Sequence, residues 1–403
     1  MSTHPSQSTA RATKTTKLSI RVASALVAAF AIGASLSLSA PSQDRATPAT
    51  DDYQDRPPEV YPSKDSWSER IDQAVFSHGR LWLLSAKDQL SSLLETSDKR
   101  EPVNIDSKIL GLGRRTGDVT ALTCLDAACE TWGLRQFDGS DWQLVATISS
   151  NGDEFAAMTF TDTESIILTS RRVVVLAGDV QHAIEIAVPP GGQPPATSEH
   201  YGARPKILKN GRHLYLGFDQ GEWGGGLQRI DMTSGALTVI EDKSSGGLHC
   251  QRPLDSACAP VTGLTTAPWN PDCLVATVAM AYAGGRVLEI CGDRVRRLYF
   301  DFNAWSKSKK PGPDGEIDDF ETVGFSGVVT LGPTVIAIGD HDIYQIDETG
   351  AATKRGFSTF KLVDGVYVDF SQSGFVMALH TFSTAWDEDR RKLLGPYIIL
   401  APR

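Results

Sequence analysis

Cys273-Leu274-Val275-Ala276-Thr277-Val278 is answered nine residues on by Val287-Leu288-Glu289-Ile290-Cys291. Each run is short, apolar and rich in β-branched residues, with a glycine-bearing segment, Tyr282 to Gly284, between them. Two such runs around a turn read as an antiparallel hairpin. The hairpin puts Cys273, at the start of one strand, opposite Cys291, at the end of the other.

The same unit recurs along the chain. Leu81-Trp82-Leu83-Leu84 precedes Leu93-Leu94, and Val119 to Cys124 precedes Leu134 to Asp138. Ile166-Ile167-Leu168 precedes Val173 to Leu176, and Leu214-Tyr215-Leu216 precedes Leu227 to Asp231. Val335 to Ile338 precedes Ile343 to Asp347, and Phe375 to Leu379 precedes Tyr397 to Leu400. A more polar strand often follows, as in Trp142 to Ile148 and Ala236 to Glu241. Helical periodicity is nearly absent. These are the middle-strand pairs of about seven four-stranded units. Over roughly residues 65–403 the chain therefore resembles the β-propeller superfamily, an all-β fold, with six or eight blades as the nearest alternatives. Gly221-Glu222-Trp223-Gly224-Gly225-Gly226-Leu227 and Pro268-Trp269-Asn270-Pro271-Asp272-Cys273 look like signatures of an exported bacterial propeller family. The resemblance is architectural and implies no particular activity, because propellers host many functions. The last strand pair reaches almost to Arg403, so residues just before Ile71 are expected to supply the missing outer strand and close the ring.

The N-terminus reads as an address. Arg11, Lys14, Lys17 and Arg21 precede an apolar run from Val22 to about Leu38, which ends in Ser37-Leu38-Ser39-Ala40. A basic flank, an apolar core and a small-residue exit describe a secretory signal peptide, residues 1–40, cut near Ala40. The alternative is an uncleaved anchor, for which the run is short. Residues 41–64, dominated by Pro, Ser, Thr, Asp and Gln, read as a flexible spacer. Export to the periplasm or the extracellular space fits the six cysteines, which all lie beyond the leader. With no CxxC and no zinc-like spacing, the hairpin scheme pairs them as neighbours: Cys124–Cys129, Cys250–Cys258 and Cys273–Cys291. The net charge of −10 argues against nucleic acid and against an anionic membrane surface as partner. A monomer that binds an unidentified small ligand or protein is expected.

In a propeller, the turns between second and third strands share one face with the connections from each outer strand to the next blade. Here those segments are the long ones: Pro189 to Arg204, Asp242 to Pro260, Asn303 to Glu321, Thr381 to Leu394 and the glycine-rich turn after Asp219. Loops on a rigid scaffold carry function, so this loop-rich face is the candidate site. Glu222, Trp223, Tyr201 and His249 are the candidate ligand-binding residues. A tryptophan offers a stacking surface, and carboxylates hold cations or hydroxylated ligands. The plain alternative is a wide hairpin turn with a packed tryptophan.

Whether the chain is an enzyme stays open. An alternative to the binding module is a hydrolase resembling metal-dependent propeller lactonases, with Asp219, Glu222, His341 and His380 around a divalent ion. A structural scaffold is the third reading. The run Asp314-Gly315-Glu316-Ile317-Asp318-Asp319 offers hard oxygens for calcium but lacks EF-hand spacing. Gly324-Phe325-Ser326-Gly327-Val328 misses the nucleophile elbow, and Gly111 to Gly117 lacks the helix a dinucleotide site needs. Gly139-Ser140-Asp141-Trp142 reads as a blade turn with Trp142 as packing.

Overall fold

The computed structural model describes residues 59–62, 71–85, 87–94, 100–189, 204–221, 225–241, 253–256, 258–279, 285–301, 323–339, 342–356, 367–370, 376–380 and 397–400. These form 28 strands in seven four-stranded antiparallel sheets.

Blade 1 is β2 (Ile71–Ser77), β3 (Arg80–Ser85), β4 (Leu90–Leu94) and β5 (Arg100–Val103). Blade 2 is β6 (Ile109–Arg115), β7 (Asp118–Cys124), β8 (Thr131–Phe137) and β9 (Trp142–Ser149). Blade 3 is β10 (Phe155–Phe160), β11 (Ser165–Thr169), β12 (Arg172–Ala177) and β13 (Val180–Glu185). Blade 4 is β14 (Lys206–Asn210), β15 (His213–Asp219), β16 (Gly225–Asp231) and β17 (Leu237–Ile240). Blade 5 is β18 (Val261–Thr266), β19 (Cys273–Val278), β20 (Arg286–Cys291) and β21 (Arg294–Phe300). Blade 6 is β22 (Phe325–Leu331), β23 (Thr334–Gly339), β24 (Asp342–Ile346) and β25 (Ala352–Gly356). Blade 7 is β26 (Tyr367–Phe370), β27 (Val376–His380), β28 (Tyr397–Leu400) and, as its outer strand, β1 (Glu59–Pro62).

The first strands of successive blades, β2, β6, β10, β14, β18, β22 and β26, pack on one another around the axis, and β26 returns to β2. The ring is closed by β1, which pairs antiparallel with β28 from Glu59↔Leu400 to Pro62↔Tyr397. The chain's N-terminal side thus covers what would be an open edge. Because β1 falls within residues 41–64, the stretch read as spacer is shortened, and the propeller starts at Glu59 rather than near residue 65. A short strand is held by its backbone ladder, so composition alone did not reveal it.

The apolar core is a set of layers between blades rather than a central ball. In β19, Leu274, Ala276 and Val278 pack against blade 4, with Tyr215 and Leu227, while Cys273 and Val275 pack against blade 6, with Phe325 and Tyr344. Both faces of a middle strand are buried, so it reads as a continuous apolar run. Outer strands have one face in water, and five of the six residues of β13 are exposed. Gly263 shows how closely blades approach. A Cβ there would stand 2.7 Å from the Val328 amide nitrogen and 2.8 Å from the Gly327 Cα of blade 6.

Cys273 and Cys291 are directly paired in the β19–β20 ladder and bonded, with Cα atoms 4.4 Å apart. Cys124–Cys129 is bonded across the β7–β8 turn. Cys258 is also disulfide-bonded; its expected partner, Cys250, lies outside the described residues. On the chain-entropy view, replacing Cys273 and Cys291 together by alanine should cost about 3 kcal/mol. Thermal melts without reductant should show a fall of several degrees, and the parent melted in reductant, which opens the other disulfides too, should fall at least as far.

Candidate functional site

Every connection longer than six residues begins and ends at one face, termed here the upper face. They are 63–70, 186–205, 241–260, 279–285, 301–324, 357–366 and 381–396. On the lower face no connection exceeds the six residues 267–272 between β18 and β19.

The junction of blades 4 and 5 is the best described part of the upper face. Side chains at alternate positions of β15 face blade 3 or blade 5: Leu214, Leu216 and Phe218 belong to the layer with blade 3, and Tyr215 to the layer with blade 5. Asp219 continues the second set. Its carboxylate accepts the Gly221 amide at 3.0 Å. Burial pushes its pKa above the usual carboxylate range, against the opposing pull of the Gly221 amide and the Lys206 ammonium. Although the residue as a whole is half-buried, its carboxyl group is desolvated. A raised folded-state pKa means that this group adds stability at pH below its unfolded value, and that the benefit disappears as pH rises through the folded value. Asp219→Asn should therefore melt higher than the parent at pH 7 and alike at pH 3, a difference thermal melts across that range would read.

The connection into blade 5 is laid over the glycine-rich turn. The Gly225 amide donates to Ser256 O at 2.9 Å and the Gly226 amide to Ala259 O at 2.8 Å. Gly226 has φ +77°, and a Cβ there would lie 2.7 Å from the Ser256 Cα. Close backbone approach explains this glycine without a ligand. Ser256 also bonds the Glu241 carboxylate. Beyond it, Arg286, only 3 % exposed, donates to Pro253 O at 2.5 Å. Burial, with Arg297 nearby, lowers its pKa to about 10, partly offset by Asp255. Desolvated charges gathered on one face are a recognised feature of functional sites.

A second group caps blade 3. Asp153, in the connection between β9 and β10, has a 1 % exposed side chain. Its Oδ1 accepts Arg171 Nε at 2.5 Å, and its Oδ2 accepts Arg172 Nε at 2.6 Å and Thr169 Oγ1 at 3.0 Å. Arg172 Nη2 donates to Ser149 O at 2.7 Å and Ser150 O at 2.8 Å. Closer to the axis, the Arg204 guanidinium lies 5.3 Å from the Phe155 ring centroid and donates to Leu110 O of β6.

Of the residues singled out from sequence, Asp219 is in place on the upper face, and His380 ends β27, paired with Tyr367. Glu222, Trp223, Tyr201, His249 and His341, and the acidic run Asp314 to Asp319, lie outside the described residues. Among the described residues no three His, Cys, Asp or Glu side chains are grouped to hold a metal ion. Residues 325–331 and 109–115 are strands, which agrees with rejecting the elbow and dinucleotide readings. Trp142 packs on Phe137 and Trp82. Sequence reasoning missed Asp153, Arg171, Arg172 and Arg286. The one signal for the first three was a pair of arginines between two apolar runs, where a buried cation demands a carboxylate.

No family model matches the chain, and no curated protein matches it. Solved structures do. The chain of "YCF48 bound to D1 peptide" has TM-score 0.50 at 10 % identity, covering 86 % of this chain and 96 % of that one. A chain of the "Mitotic Checkpoint Complex" has TM-score 0.50 at 8 % identity, covering 94 % and 100 %. The "Streptogramin B lyase structure" reaches 0.46 at 12 %, covering 80 % and 94 %. At such identities the first two likenesses are of fold alone, and they agree with the seven sheets: the chain is a β-propeller.

Proposed function

We propose that this protein is an exported binding module that takes a peptide or protein segment on its upper face. The observation that carries this reading is the asymmetry of the ring. All the long connections meet the upper face, where Asp219, Asp153, Arg172 and Arg286 are desolvated, while the lower face is closed by short turns. A rigid ring with variable loops on one face is a general arrangement for recognition. The leader-like N-terminus and the disulfides support export. A solved propeller of similar fold is described with a bound peptide, which makes a peptide a reasonable first probe.

The test is to pan a random-peptide phage library against the purified full chain and measure affinities of enriched peptides by fluorescence anisotropy. Saturable binding that competes among enriched peptides is the expected result. Failure to enrich any peptide over a lower-stringency control would count against a peptide ligand. Metal analysis before and after chelation belongs beside it. A bound divalent ion whose removal lowers the melting temperature would shift the reading toward the metal-dependent alternative around Asp219 and His380.

A further inference from the structure

The two arginines of the β11–β12 turn share one carboxylate but are used differently. Arg172 is buried, and its donors go to Asp153 and to the backbone carbonyls of Ser149 and Ser150. The Arg171 side chain is 61 % exposed. It is nevertheless held at two points: Nε by Asp153 Oδ1 at 2.5 Å, and Nη2 by Asn151 O at 2.6 Å. Both contacts engage one edge of the guanidinium. The end-on fork, formed by the Nη1 hydrogens and the second Nη2 hydrogen, points away from them. Asp153 is shared between two guanidiniums, so the buried Arg172 takes part of its charge and Arg171 keeps a donor edge for another carboxylate.

A planar guanidinium with an open fork suits a carboxylate. Fixing it beforehand removes the ordering cost that weakens most exposed arginine contacts. The Ile186 amide donates to Arg171 O at 2.8 Å, which ties the turn to the end of the outer strand. Polyanions fit this corner poorly, because Glu154 and Glu185 are also exposed there and the whole chain is acidic.

We infer that Arg171 is the anchor for a carboxylate of the bound peptide. This rests on the reading of the upper face as the binding face. The carboxylate has two sources, an acidic side chain or a chain terminus, and the ligand distinguishes them.

The experiment uses the enriched phage peptides, synthesised with free and with amidated C-termini and with each Asp or Glu changed to its amide. Affinities are measured on the full chain and on Arg171→Gln, Arg171→Lys and the lower-face control Arg212→Gln. Loss of one charge-assisted fork corresponds to about tenfold or more in Kd. The expected result is that Arg171→Gln weakens binding by about that factor, and that neutralising one particular carboxylate of the peptide has little further effect in this variant. Arg171→Lys should recover only part, and Arg212→Gln should bind as the parent does. An effect from the amidated C-terminus assigns the chain terminus, and one from an internal amide assigns a side chain. Thermal melts of each variant guard against loss of fold. If peptides bind but Arg171→Gln, folded like the parent, is indifferent, the anchor is wrong while the binding face stands. If no peptide binds the parent, both are wrong.

Discussion

Asp153→Ala is expected to be among the most damaging single substitutions in the described part of the molecule, at about 3–5 kcal/mol. The carboxylate is 1 % exposed, and the Arg172 side chain that it faces is 9 % exposed. Truncation leaves that guanidinium buried with neutral acceptors alone, the Ser149 and Ser150 carbonyls and the Asn151 side-chain amide. It also removes the bond from Thr169 Oγ1 that ties the end of β11 to the connection from blade 2. The double variant Asp153→Ala/Arg172→Met should recover much of the loss, because removing both members of a buried pair is far less costly than removing one. A double-mutant cycle in chemical denaturation separates the pair from the packing around it. Equal losses in the single and double variants would show that the corner is held by its shape and not by its charge.

Trp82→Ala should cost a comparable amount, about 3–5 kcal/mol. Trp82 is 2 % exposed and lies in the layer between blades 1 and 2. Its ring meets Phe137 edge-on at 4.8 Å and Trp142 at 5.5 Å, and its indole N–H donates to Ser77 O at 3.3 Å. Truncation opens a cavity in a layer made of two separate sheets, which close on it only by moving as blades. Trp82→Phe keeps most of the ring contact and loses the N–H bond, so it should retain over half of the lost stability. The measurement is the denaturation midpoint of both variants; if alanine and phenylalanine variants melt together, the aromatic triad is not what joins the blades.

Much of the fold was legible because each middle strand is buried on both faces. Leu274 to Val278 cannot be mistaken for a helix, and Cys273 before it with Cys291 at the end of the answering run fix the partner strand and its register at once. The closing strand was legible only as a missing piece, since Glu59–Pro62 has no apolar pattern of its own. The site was less legible. Asp219 stands out beside a run of glycines, although Gly226 turns out to be required by the backbone of Ser256. Asp153 and Arg172 are 19 residues apart, at no spacing that any motif prescribes. They meet because a connection from one blade folds over the hairpin of the next. Charge pairs of this kind are set by the ring, and periodicity along one blade does not reveal them.

Recognition on the upper face is read out by amide hydrogen exchange of the full chain with and without a saturating enriched peptide. Slowed exchange is expected at the described upper-face segments, 150–154, 170–171, 219–221, 253–256 and 258–260, with the lower turns 78–79, 116–117, 211–212 and 292–293 unchanged. Protection confined to the lower turns, or to the outer strands β9, β13 and β17, would contradict it.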